Sequence, residues 1–168
     1  IFVLTLFFLI SLSNFNLAYS ISPDVFIQST VNRASQILSE DISKEEKINK
    51  LKIIAKETVD IRGVGFYSLG SARKNLNDDQ KNTYSNLFEN YFLKSFSSRL
   101  AEYTNPEIEV KNKQVLNTNY TIVNSILIAT SDRPEVKIDW RVYTKNPDNP
   151  LIRAVSYTHL TLPTRAVV

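Results

Sequence analysis

Apolar residues fall at helical spacing as far as Tyr103 and at strand spacing after Pro106. The strongest helical run is Asn77 to Tyr103. Tyr84, Leu87, Phe88, Tyr91, Phe92, Phe96, Leu100 and Tyr103 recur there at steps of three and four, which places them on one face. Asn77 is a good N-cap, Asp78 and Asp79 suit the positive first turn, and Gln80 completes a capping box. Such a helix is about 40 Å long. A face this rich in aromatic rings is either plain core or the wall of an apolar slot.

Upstream, Ser22 and Pro23 mark a helix start, followed by the apolar positions Val25, Phe26, Ile27, Val31, Ala34, Ile37 and Leu38. Ser43 with Glu46 is a second capping box. It opens a helix with an apolar stripe of Ile48, Leu51, Ile54 and Ala55 and a wet side carrying Lys44, Lys47, Lys50 and Lys52. Asp60 to Leu69 is a short apolar segment closed by Gly70, a C′ glycine. Gly63 and Gly65 weaken an isolated helix, so their presence points to close packing or a bend.

Beyond Thr104-Asn105-Pro106 the strand segments are Ile108 with Val110, Tyr120 to Ala129, and Val136 to Tyr143. In the last, Val136, Ile138, Trp140 and Val142 point one way and Lys137, Asp139, Arg141 and Tyr143 the other. Helices first and strands second predict an α+β domain with a curved antiparallel meander, the long amphipathic helix packed across it. Leu151-Ile152 begins a further strand that the sequence is expected to interrupt. Ser156 to Thr164 continues no upstream period and resembles translated sequencing-adapter read-through, so residues 154–168 are read as a non-native tail. His159, the only histidine, lies in it and is given no role.

At the other end, Ile1 to Leu12 is an apolar run too short for a comfortable membrane span, and Ala18-Tyr19-Ser20 is a small-x-small cleavage pattern. Residues 1–20 are therefore expected to be a signal peptide with a truncated start, an uncleaved anchor being the competing reading. The mature domain then runs from 21 to 153, and the protein is exported.

Composition removes several function classes. A chain of 168 residues with 43% hydrophobic and 22% charged content suits one domain with a real core. A formal charge of +3, without basic clusters interleaved with aromatics, gives no footprint for nucleic acid. Without cysteine, and with no histidine before the tail, the commonest zinc sites and thiolate chemistry are excluded. No phosphate loop or nucleophile elbow occurs, and no cofactor is expected. Asp60 near Arg62 reads as an ion pair, and Asp139 beside Trp140 as a solvent-facing strand carboxylate. These residues favour a binding protein over an enzyme, and no catalytic residue or metal ligand is assigned.

Val59-Asp60-Ile61-Arg62 through Leu69-Gly70 resembles an aromatic-Asp-aromatic-Arg segment closing in Leu-Gly that belongs to the MlaC family. The likeness runs without a gap into Phe88, Tyr91, Phe92, Ser95, Phe96, Leu100 and Tyr103, and spans roughly Ile21 to Arg153. Asp139-Trp140-Arg141-Val142 matches a later strand of that family. Arg73-Lys74 stands where Trp-Arg is usual, Phe96 replaces a Tyr, and the family's closing strand, Glu-Gly segment and last helix are missing, leaving the domain C-terminally incomplete. The family, also called the toluene-tolerance auxiliary component of an ABC transporter, implies a periplasmic phospholipid carrier. Such a carrier shuttles lipid between an outer-membrane lipoprotein complex and an inner-membrane ABC transporter with an MCE-domain ring, maintaining outer-membrane lipid asymmetry. That resemblance makes Phe66, Tyr84, Phe88, Tyr91, Phe92, Phe96, Ile122, Ile126, Val136, Ile138 and Trp140 candidates to line a lipid slot. Arg62, Arg73 and Lys74 are candidates for docking to the membrane partners. Two other classes share the predicted shape: a small NTF2-like enzyme, for which Asp60 with Asp139 is the only acid/base pair available, and an exported interaction module without a ligand.

Overall fold

A computed structural model describes residues 20–131 and 133–159. The expected signal peptide up to residue 19 and the last nine residues lie outside them. Four α-helices are followed by four strands: α1 Pro23–Ser39, α2 Lys44–Thr58, α3 Ile61–Ser68, a 3-10 turn Gly70–Asn75, α4 Asp78–Leu100, β1 Ile108–Asn117, β2 Tyr120–Leu127, β3 Val136–Tyr143 and β4 Leu151–His159.

The helix starts are built as their sequences require. Pro23 opens α1 at N1, although the Ser22 hydroxyl turns to the Asp24 carboxylate instead of capping. Ser43 with Glu46 and Asn77 with Gln80 each close a reciprocal capping box. Gly70 takes φ +56°, the left-handed turn that ends α3. The long helix stops at Leu100, capped at Ala101, so Tyr103 falls beyond it.

The sheet is an antiparallel meander in the order β1-β2-β3-β4. Its register puts Thr121, Val123, Ser125 and Leu127 of β2 opposite Val142, Trp140, Ile138 and Val136 of β3. Directly opposed residues share a face, and this inner face receives α1. Ile27 and Val31 of α1 pack with Val123, Val142 and Ile152 into the main core. Gln28 secures the contact by accepting from the Val110 N–H at 3.0 Å and donating to the Ile108 carbonyl at 3.3 Å.

Two expectations change here. The helix lying against the sheet is α1, whereas α4 packs chiefly on α2 and α3, in a second core of Ala55, Ile61 and Leu93 with Phe88, Phe92 and Phe96. An aromatic face buries equally well against helices, so its periodicity does not name its partner. The last strand also does not break off: β4 pairs with β3 through to His159. Val155 and Tyr157 extend the inner-face alternation opposite Trp140 and Ile138, and valine, tyrosine and threonine are good strand formers.

Candidate functional site

Four turns of α4 carry a ladder of rings. Tyr84, Phe88, Phe92 and Phe96 follow one another at i, i+4, with successive centroids 5.8, 6.2 and 5.2 Å apart and near-parallel planes. Phe66 of α3 adds a fifth ring, 6.4 Å from Tyr84. Offset stacking at these distances is favourable beyond the area it buries. All five rings are half-buried, while Leu93 and Ser97, one step round the helix, are buried. Leu87 (65% exposed) and Tyr91 (71%) face solvent, so Tyr91 is not on the ladder.

Close approach of α3 makes the ladder possible. A Cβ on Gly65 would meet the Phe88 ring at 2.8 Å, so only glycine lets the two helices come this near. The Tyr84 hydroxyl donates to the Gly65 carbonyl at 3.1 Å, tying the first rung down. At the α3 end, the Arg62 guanidinium lies 5.3 Å from the Phe66 centroid. Arg73 and Lys74 sit on the exposed 3-10 turn.

The sheet divides the remaining candidates. Val136, Ile138 and Trp140 share the inner face, where Val136 is buried and Ile138 and Trp140 are half-buried. The Trp140 indole donates to the buried Ser125 hydroxyl at 2.8 Å, which satisfies both. Ile122 and Ile126 face the other way, opposite Arg141 and Lys137. The five residues cannot form one wall, because neighbours in a strand alternate between faces. Toward the β4 edge the inner face stays partly open, with Val155 41% exposed. The two cores meet at Val59, which packs against both.

Two of the open grooves among the described residues are lined by none of Phe88, Phe92, Phe96 and Trp140. One, of about 480 Å³, lies where Lys56, Asp60 and Arg62 approach Glu89 and Leu151. The other, of about 440 Å³, is a more apolar notch between Leu76 and the start of α4. No group of acidic or histidine side chains that could hold a metal occurs among the described residues. The enzyme alternative finds its two carboxylates engaged separately: Asp60 with Arg153 at 2.6 Å, and Asp139 accepting from the Asn124 amide at 2.6 Å on the outer face. No helix among the described residues is long and apolar enough to cross a membrane.

Sequence reasoning missed the Asp60–Arg153 pair. The sequence pairs Asp60 with Arg62, two residues on, whereas Arg62 lies over Phe66 and the partner is Arg153, which carries no signal of its own.

The layered helix-and-sheet architecture is that of a phospholipid-binding protein from Ralstonia solanacearum, solved in complex with a phospholipid. The two share a TM-score of 0.67 at 12% identity, over 82% of this chain and 79% of the other. The sequence itself matches the family described as MlaC protein over residues 28–156, so the chain belongs to the MlaC family. That match takes in the start of β4 beyond Arg153. No curated protein matches the chain.

Proposed function

We propose that this protein is a periplasmic phospholipid carrier, the exported component of an ABC transport system that maintains outer-membrane lipid asymmetry. It would shuttle lipid between an outer-membrane lipoprotein complex and an inner-membrane transporter with an MCE-domain ring. The observation that carries the reading is the half-buried ladder from Phe66 to Phe96: five stacked rings held by close helix packing yet not sealed into a core. Membership of the MlaC family and the fold shared with a phospholipid-binding protein support it.

The physical need is plain. A two-tailed lipid in water exposes on the order of thirty methylenes, each worth about 0.8 kcal/mol when buried. A carrier has to offer a long apolar wall, and the rungs from Tyr84 to Phe96 alone cover about 18 Å of helix. Ile138 and Trp140 supply the sheet side of the proposed slot, with the open end of β4 beyond them. The head group can remain in water, which agrees with the lack of a polar constellation along the ladder. Arg73 and Lys74, exposed on the turn before α4, are the proposed docking charges, with Arg62 nearby on Phe66. Exposed charge of this kind speeds association and is screened by salt.

Native mass spectrometry of the gently purified protein tests the reading. A co-purifying phospholipid mass is expected. A lipid-free spectrum, with no uptake from phosphatidylethanolamine–phosphatidylglycerol vesicles, sinks it.

A further inference from the structure

Since α4 does not lie on the sheet, the position of the ladder relative to the sheet is set through α2 and α3, and of these two it is α3 that packs on β4. One backbone link ties the start of α3 to edge strand β4: Val59 bridges Ile152 in parallel, with the Asp60 N–H donating to the Ile152 carbonyl at 2.9 Å. A second link is a side-chain pair, Arg153 Nε to Asp60 Oδ2 at 2.6 Å.

A bulge makes that pair possible. Arg141 pairs with Ala154 and Val142 with Ile152, which leaves Arg153 as the extra residue, and bulges re-aim side chains in this way. The guanidinium lies 3.6 Å from the Tyr143 centroid and donates through Nη1 to the Tyr120 hydroxyl at 2.6 Å. A planar cation stacked on one ring and hydrogen-bonded at two edges is fixed in direction as well as charge. Asp60 is equally fixed. Its Oδ1 accepts the Gly63 N–H at 2.9 Å and caps α3, and a Cβ at position 63 would come within 2.3 Å of Oδ2. From there the contacts run through Gly65, Phe66 and Tyr84 into the ladder.

We propose that Asp60 and Arg153, seated on Tyr120 and Tyr143, are a positioning pair that latches α3, and with it the aromatic ladder, to the edge of the sheet and so sets how fast bound lipid leaves. The lipid part rests on the carrier reading above; the mechanical part does not. Both charges are partly buried, Arg153 31% and Asp60 17% exposed, so the pair is worth more than a surface contact. The backbone link at Ile152 survives its loss, so breaking it loosens α3 without unfolding the sheet.

Two variants of the full chain test this by hydrogen–deuterium exchange and lipid release. Asp60→Asn can still cap α3 but loses the charge, and Tyr120→Phe keeps the ring but loses the hydroxyl. The expected result is faster exchange in residues 61–68 and along the ladder, with β1 and β2 unchanged. Transfer of a fluorescent phosphatidylglycerol to phosphatidylethanolamine–phosphatidylglycerol vesicles should be about tenfold faster in Asp60→Asn and less affected in Tyr120→Phe. Unchanged exchange in both variants overturns the latch, as does a uniform rise that includes β1 and β2. Looser α3 with unaltered lipid release overturns its role in retention. Looser α3 in a protein that never takes up lipid supports the latch and removes the carrier reading. Should Asp60→Asn not fold, Tyr120→Phe decides alone.

Discussion

Two apolar surfaces of the molecule are treated in opposite ways. Between α1 and the sheet, Ile27, Val31, Val123 and Val142 are sealed, Ile27, Val123 and Val142 completely. Along α3 and α4, five larger rings, one from α3 and four from α4, are stacked on one another and left half-open. Burial stabilises in proportion to area removed from water, so an aromatic surface left unsealed forgoes stability that a simple core would have taken. Aliphatic, β-branched side chains interlock into a closed core, whereas ring faces can stack on each other and still offer an apolar edge to a third body.

The sharpest break between the two regions should come from truncating the sealed one. Ile27→Ala removes a fully buried side chain and is expected to cost about 3–4 kcal/mol in urea unfolding, leaving any lipid occupancy of the folded fraction unaltered. A cost below about 1 kcal/mol would show that the α1 core is as loose as the ladder.

A smaller, two-sided contrast follows from Val136 and Phe88. Val136 is buried, so Val136→Ser places a hydroxyl in the core and should destabilise by about 2–3 kcal/mol. Phe88 is half-buried, so Phe88→Ser should cost about 1–2 kcal/mol while reducing phospholipid occupancy in native mass spectra. Equal losses of stability and occupancy in both would erase the distinction between core and ladder.

Much of the local structure was legible beforehand because it depends on neighbours in sequence. The capping boxes at Ser43–Glu46 and Asn77–Gln80, Pro23 at the start of α1 and the left-handed Gly70 needed no tertiary information. The facing of β2 was not legible, for a definite reason. Tyr-Thr-Ile-Val-Asn-Ser-Ile-Leu alternates two sets of nearly equal hydrophobicity, and the buried set contains Thr121 and Ser125. Ser125 tolerates burial because Trp140 donates to it, a partner 15 residues away that no period reveals. That is how Ile122 and Ile126 came to be expected on the same wall as Trp140. The placement of α4 escaped for the parallel reason that its stripe fits a helix pair or a sheet alike. The β4 continuation was obscured because a short strand of mixed polarity takes its register from β3 rather than from its own pattern.

A finer test probes how tightly α3 and α4 must meet. Gly65→Ala sets a methyl group 2.8 Å from the Phe88 ring, close to its attachment, so the whole ring has to move. The expected cost is about 1–2 kcal/mol, with a larger fractional loss of lipid occupancy than of stability. A stabilised Gly65→Ala variant would mean that the helices part freely and the ladder is not held by this contact.

The smallest expected effect belongs to the sealed side and separates it from the ladder by pH. Asp24, in the first turn of α1, accepts from Lys113 of β1 at 2.7 Å. Hydrogen bonds from Lys113 and then Ser22 lower its pKa from the ordinary 3.8 to about 2, against a small opposing effect of desolvation. A folded-state pKa below the unfolded value means that the unfolded chain binds the proton more readily. The contribution is therefore fully present above about pH 4 and is lost as the pH falls through about 2. Both partners are more than a third exposed (Asp24 36%, Lys113 40%), so solvent screening holds the effect below about 1 kcal/mol. Asp24→Asn should accordingly be slightly less stable than the natural chain at pH 6, and the gap should close by pH 2 and narrow in high salt. The ladder side carries no such dependence at its rings, so Phe88→Ser should differ from the natural chain equally at both pH values. Urea midpoints for the three proteins at pH 6 and pH 2 decide it, and a gap for Asp24→Asn that persists at pH 2 would show that the carboxylate acts through packing rather than charge.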